Sequence, residues 1–111
     1  MKPPIIGYSE GNPQFFKTAE SAASYMEPAD VRNGEWVLYD SEGRQLRAEV
    51  AKGFLSEFVV LHPAESKPTH QRELIQILID YLCRRGELED DVREQPLSEL
   101  LELARRYAGE T

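Results

Sequence analysis

Residues 27–46 read EPADVRNGEWVLYDSEGRQL, and the reading of this stretch decides the fold. Asn33-Gly34 is a strong turn dipeptide. Asp40-Ser41-Glu42-Gly43 is a second turn, whose glycine supplies a positive φ at no steric cost. Between them, successive side chains of an extended chain point to opposite faces. Trp36 and Leu38 go one way, Val37 and Tyr39 the other. Both faces are apolar, so residues 35–40 read as a central strand.

The neighbours of this strand follow from turn chemistry. Downstream, Leu46, Ala48 and Val50 alternate with Arg47 and Glu49, the pattern of a strand with one wet face. Lys52-Gly53 marks a turn, and residues 54–61, apolar at most positions, read as the third strand of a meander that Pro63 closes. Upstream, Pro28 is expected to end a helix, because the residue before a proline is pushed out of the α region. That helix covers residues 19–26, with Thr18 as N-cap and Ala19, Ala22, Ala23 and Met26 on one face. Ile5, Ile6 and Tyr8 form a short first strand after Pro3-Pro4. Gly11-Asn12-Pro13 is a turn, and Gln14, Phe15 and Phe16 extend a second short strand.

After the loop HPAESKP (62–68), the hydrophobic period changes. Leu74, Ile75, Ile77, Leu78, Tyr81 and Leu82 make a wide helical stripe. Thr69 is its expected N-cap and Gly86 its stop, with Arg84 and Arg85 suited to the negative end of the helix. Pro96 at the first helical position opens a second long helix over residues 97–108, striped by Leu97, Leu100, Leu101, Ala104 and Tyr107 or Ala108. The expected fold is α+β in a single domain over residues 1–111: a small antiparallel sheet made of a three-stranded meander plus one or two short N-terminal strands. A short helix and the two C-terminal helices are expected to pack on one face.

Composition bounds the function. The 111 residues are 41% hydrophobic and 30% charged, ordinary for a folded domain. No apolar run approaches the roughly 20 residues of a membrane span. The N-terminal MKPPIIGYSEGNPQFF lacks the long apolar core of a secretory signal. The single cysteine, Cys83, excludes an intrachain disulfide and suits a reducing cytoplasm. Net charge is -7, which argues against a nucleic-acid surface and favours a basic protein partner. Glu87, Glu89, Asp90, Asp91 and Glu94 concentrate the acid around one base, Arg93.

Candidates for chemistry are few. His62 and His70 flank a loop with no cysteine nearby, too few ligands for a zinc site, and read as loop histidines. Cys83 has two adjacent arginines but sits near a helix C-terminus, which disfavours a thiolate, and reads as structural. Ser41 lacks a GxSxG elbow. No phosphate-binding glycine loop is present. GELEDDVRE lacks the spacing of a calcium loop, so it reads either as a solvated connection or as an electrostatic docking surface. No catalytic residue, metal or cofactor is expected.

One segment carries a resemblance. Glu27-Pro28, Asp30-Val31, Asn33-Gly34-Glu35 and Tyr39-Asp40-Ser41-Glu42-Gly43-Arg44 resemble a pattern in small acidic bacterial proteins, some of which look like immunity proteins of polymorphic toxin systems, including contact-dependent inhibition. It spans roughly residues 15–50 and brings no catalytic residues with it. The resemblance implies a non-enzymatic cytoplasmic protein that binds and neutralises a toxin domain. Many such toxins are nucleases with basic grooves, which an acidic inhibitor can fill. The expected contact surface is Glu87, Glu89, Asp90, Asp91 and Glu94, with Asp40 and Glu42 as further candidates. A secretion chaperone or adaptor is the alternative. A small enzyme would need a deep polar pocket joining His62 or His70 to a carboxylate.

Overall fold

The computed structural model describes residues 1–111. The elements are β1 (Ile5–Ser9), β2 (Asn12–Phe16), α1 (Ala19–Tyr25), α2 (Pro28–Arg32), β3 (Val37–Tyr39), β4 (Gln45–Lys52), β5 (Glu57–Pro63), α3 (Gln71–Arg84), α4 (Glu89–Val92) and α5 (Leu97–Ala108). One antiparallel sheet runs β2-β1-β3-β4-β5, so the fold is α+β. The segment 35–40 does hold the centre: β3 pairs with β1 through Gly7↔Leu38 and with β4 through Leu38↔Leu46.

Alternation along β3 places a core on each face. Tyr39 joins Ile6, Phe15 and the apolar stripes of α3 and α5. Leu38 joins Ile5, Phe16, Leu46, Val59, Leu61 and the α1 residues Ala22 and Met26. The two C-terminal helices therefore share one face, as expected, whereas α1 covers the opposite face. The reason is parity: Ile5 and Ile6, like Phe15 and Phe16, are adjacent buried pairs, and each pair feeds both sides of the sheet. Gly7 allows the close fit on the α1 side, since a Cβ there would lie 2.9 Å from Cζ3 of Trp36 and 3.2 Å from Cε2 of Phe16.

Three boundaries differ from the sequence reading. Pro28 does not simply end a helix. It opens α2 at a first-turn position, where its missing N–H costs nothing, and residues 28–32 are helical. The third meander strand begins at Glu57, not at Phe54. Phe54 and Leu55 instead form the tip of the β4–β5 hairpin, closed by Gly53 N–H donating to the Ser56 carbonyl at 2.7 Å. Thr69 does not cap α3. The N-cap position is His70, and Thr69 is drawn away to Glu65, whose Oε2 accepts from the backbone N–H groups of Gln45 at 2.8 Å and Thr69 at 3.1 Å.

Thr18 caps α1 as expected, accepting from Ser21 N–H at 3.0 Å. Gly86, at φ 105°, ends α3 with paired bonds from Gly86 to Cys83 and from Glu87 to Leu82, a Schellman arrangement. No helix is long and apolar enough to cross a membrane.

Candidate functional site

The acidic segment after α3 is held rigidly. The Schellman turn fixes its start, and Val92, 1% exposed, plugs α4 into the core formed by α3 and α5. With Val92 turned inward, Glu89, Asp90 and Asp91 occupy the first turn of α4, the end of a helix where negative charge is tolerated best. Pro96 then serves as N-cap of α5, one position earlier than the sequence reading placed it. Leu100, Leu101 and Ala104 anchor α5 on α3, so Glu99 and Glu102 emerge on its outer side.

These two elements enclose a shallow groove of about 270 Å³. Glu87, Asp91, Gln95, Glu99, Glu102 and Arg106 form its walls, and Val92 and Leu103 line its apolar part. Residues 87–102 hold seven of the chain's 20 acids and one of its 13 bases, so this face carries most of the net charge of -7. Two acids are neutralised locally: Glu89 pairs with Arg93, and Glu102 with Arg106 at 3.1 Å. Glu87 accepts a hydrogen bond from the Tyr107 hydroxyl, and that carboxylate pushes the phenol above its usual range. Asp90, Asp91, Glu94 and Glu99 make no ion pair and stand exposed.

The residues singled out from sequence therefore separate. Glu87 and Asp91 line the groove, and Glu89, Asp90 and Glu94 surround it as exposed charges. Asp40 does not belong to any contact surface. It is 0% exposed, and its carboxylate accepts from the backbone N–H groups of Lys2, Glu42 and Arg44 and from Nη1 of Arg44 at 2.7 Å. Its role is to organise the β3–β4 turn. Glu42 stays exposed in that turn, beside Arg44 at 3.4 Å. The turn abuts the start of α3, where His70 N–H donates to the Gly43 carbonyl. The acidic groove follows the other end of this 14-residue helix, about 20 Å away at 1.5 Å per residue. The two acidic candidates are thus not one site.

Neither histidine lines any of the five principal cavities. His62 Nε2 lies 3.1 Å from Glu49 on the open face of the β4–β5 ribbon. His70 Nδ1 lies 2.9 Å from Glu65. Burial raises the Glu65 carboxyl, but hydrogen bonds from Thr69 Oγ1, Gln45 N–H, His70 and Thr69 N–H outweigh it and hold the group at about 2. Cys83 is a half-buried free thiol. No group of three or more His, Cys, Asp or Glu side chains is arranged to hold a metal ion.

Sequence reasoning missed Glu99 and Glu102, because they lie outside the dense acidic run. The period of α5 was the available signal: both fall between its buried positions. It also missed a second acidic recess, of about 490 Å³, where Glu10, Glu27, Asp30 and Glu35 gather beside Tyr25 and Trp36. There the carboxyl of Glu35 is pushed above its ordinary value, chiefly by its hydrogen bond with Asp30. Three separate stretches, 9–14, 25–30 and 35–36, build this recess, so no local pattern announces it. No protein-family model, curated protein or solved structure matches the chain.

Proposed function

We propose that this chain is a non-enzymatic protein-binding protein, an immunity protein that neutralises a toxin domain by docking its acidic α4–α5 face onto a basic surface. One observation carries the reading. A rigid groove walled by Glu87, Asp91, Glu99 and Glu102 holds one base, Arg106, and is flanked by the free carboxylates of Asp90 and Glu94. Such a face attracts a cationic surface over a distance set by the salt concentration and accelerates encounter. Fixed carboxylates also present charge much as phosphates do, which suits the substrate groove of a nuclease. The resemblance of residues 15–50 to acidic bacterial immunity proteins supplies the class of partner, and the face supplies the chemistry of contact.

The test is co-expression with the product of the adjacent open reading frame, followed by co-purification and a growth assay. The expected result is a stable complex and rescue of growth by the wild-type chain. Charge reversal at Asp90, Asp91 and Glu99 should weaken the complex and flatten its dependence on salt. Binding that survives that triple reversal would refute the α4–α5 assignment, and toxicity unrelieved by the wild-type chain would refute the immunity reading.

A further inference from the structure

A recess of about 490 Å³ opens on the α1 face of the sheet, away from the acidic α4–α5 groove. Its floor comes from the β1–β2 hairpin. Ile5 faces α1, so alternation turns Gly7 and Ser9 the same way, and their partners Gln14 and Asn12 lie beside them. Trp36 packs directly over Gly7, where a side chain would collide with it. Tyr25 of α1 stands against Trp36, with ring centroids 6.0 Å apart and ring planes at 85°. Two aromatic rings at a right angle, one of them 49% exposed, therefore wall a recess floored by Ser9, Asn12 and Gln14.

Aromatic walls attract cations over their ring faces. The charges around these walls agree. Glu10, Glu27, Asp30 and Glu35 complete the lining, no basic residue takes part in it, and none of the four carboxylates enters an ion pair. Asp30 and Glu35 are close enough to share a hydrogen bond, and the charges felt by Glu35 are the carboxylates of Asp30 and Glu10. The four do not converge on a point where a metal ion would sit. A cation that satisfies them must be extended, with several donors spread around one charge. Guanidinium has that form: it is planar, weakly hydrated, forks onto carboxylates and stacks on aromatic faces. An ammonium is a compact, strongly hydrated point charge and gains less from the rings. The recess is well above the roughly 150 Å³ that holds a benzene ring, so the group can enter together with its aliphatic stem.

We propose that this recess is an interaction surface for an arginine side chain of a protein partner, its guanidinium stacked against Tyr25 and Trp36 and bonded to the carboxylates of Asp30 and Glu35. Glu10 and Glu27 supply the outer charges, and Ser9, Asn12 and Gln14 offer neutral acceptors beneath. The recess is open, since Glu10, Tyr25, Glu27 and Glu35 are all exposed. A free cation there would keep much of its water. An arginine carried by a second surface is dried by that surface, which strengthens both its ion pairs and its stacking. The site lies across the sheet from the α4–α5 groove and does not depend on the toxin reading.

The probe is the peptide acetyl-Gly-Arg-Gly-amide, with acetyl-Gly-Lys-Gly-amide as its control. Each is titrated into the full chain and followed by amide NMR shifts and by the emission of Trp36, the sole tryptophan. The expected result is saturable binding with a Kd of about 1 mM, shifts at Ser9, Gln14, Tyr25 and Trp36, and binding of the lysine peptide weaker by about threefold or more. Asp30→Asn/Glu35→Gln should weaken the arginine peptide by about tenfold. Should that variant not fold, Glu10→Gln/Glu27→Gln at exposed positions should weaken it by about threefold. Tyr25→Leu should abolish the preference for arginine over lysine, which a loss of charge alone would not do. Asp91→Asn/Glu99→Gln, in the α4–α5 groove, should leave the affinity unchanged. No saturation by about 20 mM overturns the proposal. So do equal affinities for the two peptides, indifference to both carboxamide variants, or the same shifts produced by magnesium chloride. Shifts confined to residues 87–106 also overturn it, assigning the arginine to the α4–α5 groove. None of these outcomes depends on whether the chain relieves toxicity, so the two readings fail separately.

Discussion

Asp40 and Arg44 form a buried ion pair at the root of the β3–β4 turn, with Nη1 of Arg44 2.7 Å from a carboxylate that is 0% exposed. Three backbone N–H groups, of Lys2, Glu42 and Arg44, complete the shell of that carboxylate. Removing Asp40 leaves the three backbone donors without their acceptor at once and leaves Arg44 only its longer contact with Glu42, at 3.4 Å. Asp40→Ala is therefore expected to destabilise the fold by about 2–4 kcal/mol, read from the urea midpoint. Glu42→Ala, at an exposed carboxylate in the same turn, should leave the midpoint nearly unchanged. Equal effects from the two would mean that the turn does not depend on the buried pair.

Gly43, two positions beyond Ser41, shows how closely this turn meets α3. Its φ is +85°, and a Cβ there would lie 2.7 Å from Cα of Gln71. Backbone cannot yield as a flexible side chain can. Gly43→Ala should cost about 3 kcal/mol, the sum of left-handed strain and overpacking. Gly34 is the internal control: its φ is +68°, but nothing lies within 4 Å of the added Cβ. Gly34→Ala should cost only about 1 kcal/mol. Thermal or urea unfolding of both variants separates the close approach from the dihedral.

The central strand was legible because both of its signals are local. The turn dipeptides bracket it, and its two apolar faces are visible residue by residue. The stripes of α3 and α5 were legible for the same reason. What the sequence hid depends on choices made elsewhere in the chain. Asp40 looks like a surface acid until Lys2 and Arg44 close over it. Phe54 and Leu55 look like strand residues because apolar character signals burial, whereas here it sits at a turn where nothing covers it. Thr69 has the right type for an N-cap but is claimed by Glu65, four residues earlier. Of the acidic α4–α5 face, the dense run 87–94 was visible as charge, while its assembly with Glu99 and Glu102 required α5 to pack on α3.

Glu65 gives the fold a distinct acid response. It accepts four hydrogen bonds that join β4 to the approach of α3, and its carboxyl is held at about 2 against an ordinary value of 4.5. A depressed folded-state value means that the group stabilises the fold above 4.5, and that this contribution fades as the pH falls toward 2. Urea unfolding from neutral pH downward should show the wild type losing stability across that window. Glu65→Gln should start less stable and lose less over the same window, so that the two curves converge in acid. Parallel curves would mean that the Glu65 hydrogen bonds do not form in solution.

The α4–α5 face should be a stability liability in the free protein. Asp90, Asp91, Glu94 and Glu99 stand exposed within two consecutive short elements, without a basic partner. Their mutual repulsion acts on the folded chain, where they are held close, more than on the unfolded chain, where they spread apart. Replacing Asp91, Glu94 and Glu99 with the isosteric amides should therefore stabilise the isolated protein at low salt, by a few tenths to about 1 kcal/mol. Screening shortens the reach of that repulsion to about 3 Å at 1 M salt, so the gain should vanish there. The same substitutions should weaken binding to the proposed toxin partner. Opposite signs for stability and binding in one variant are the mark of charges kept for a partner. Acids that merely solvate a connection would show neither a salt-sensitive gain in stability nor a loss of binding.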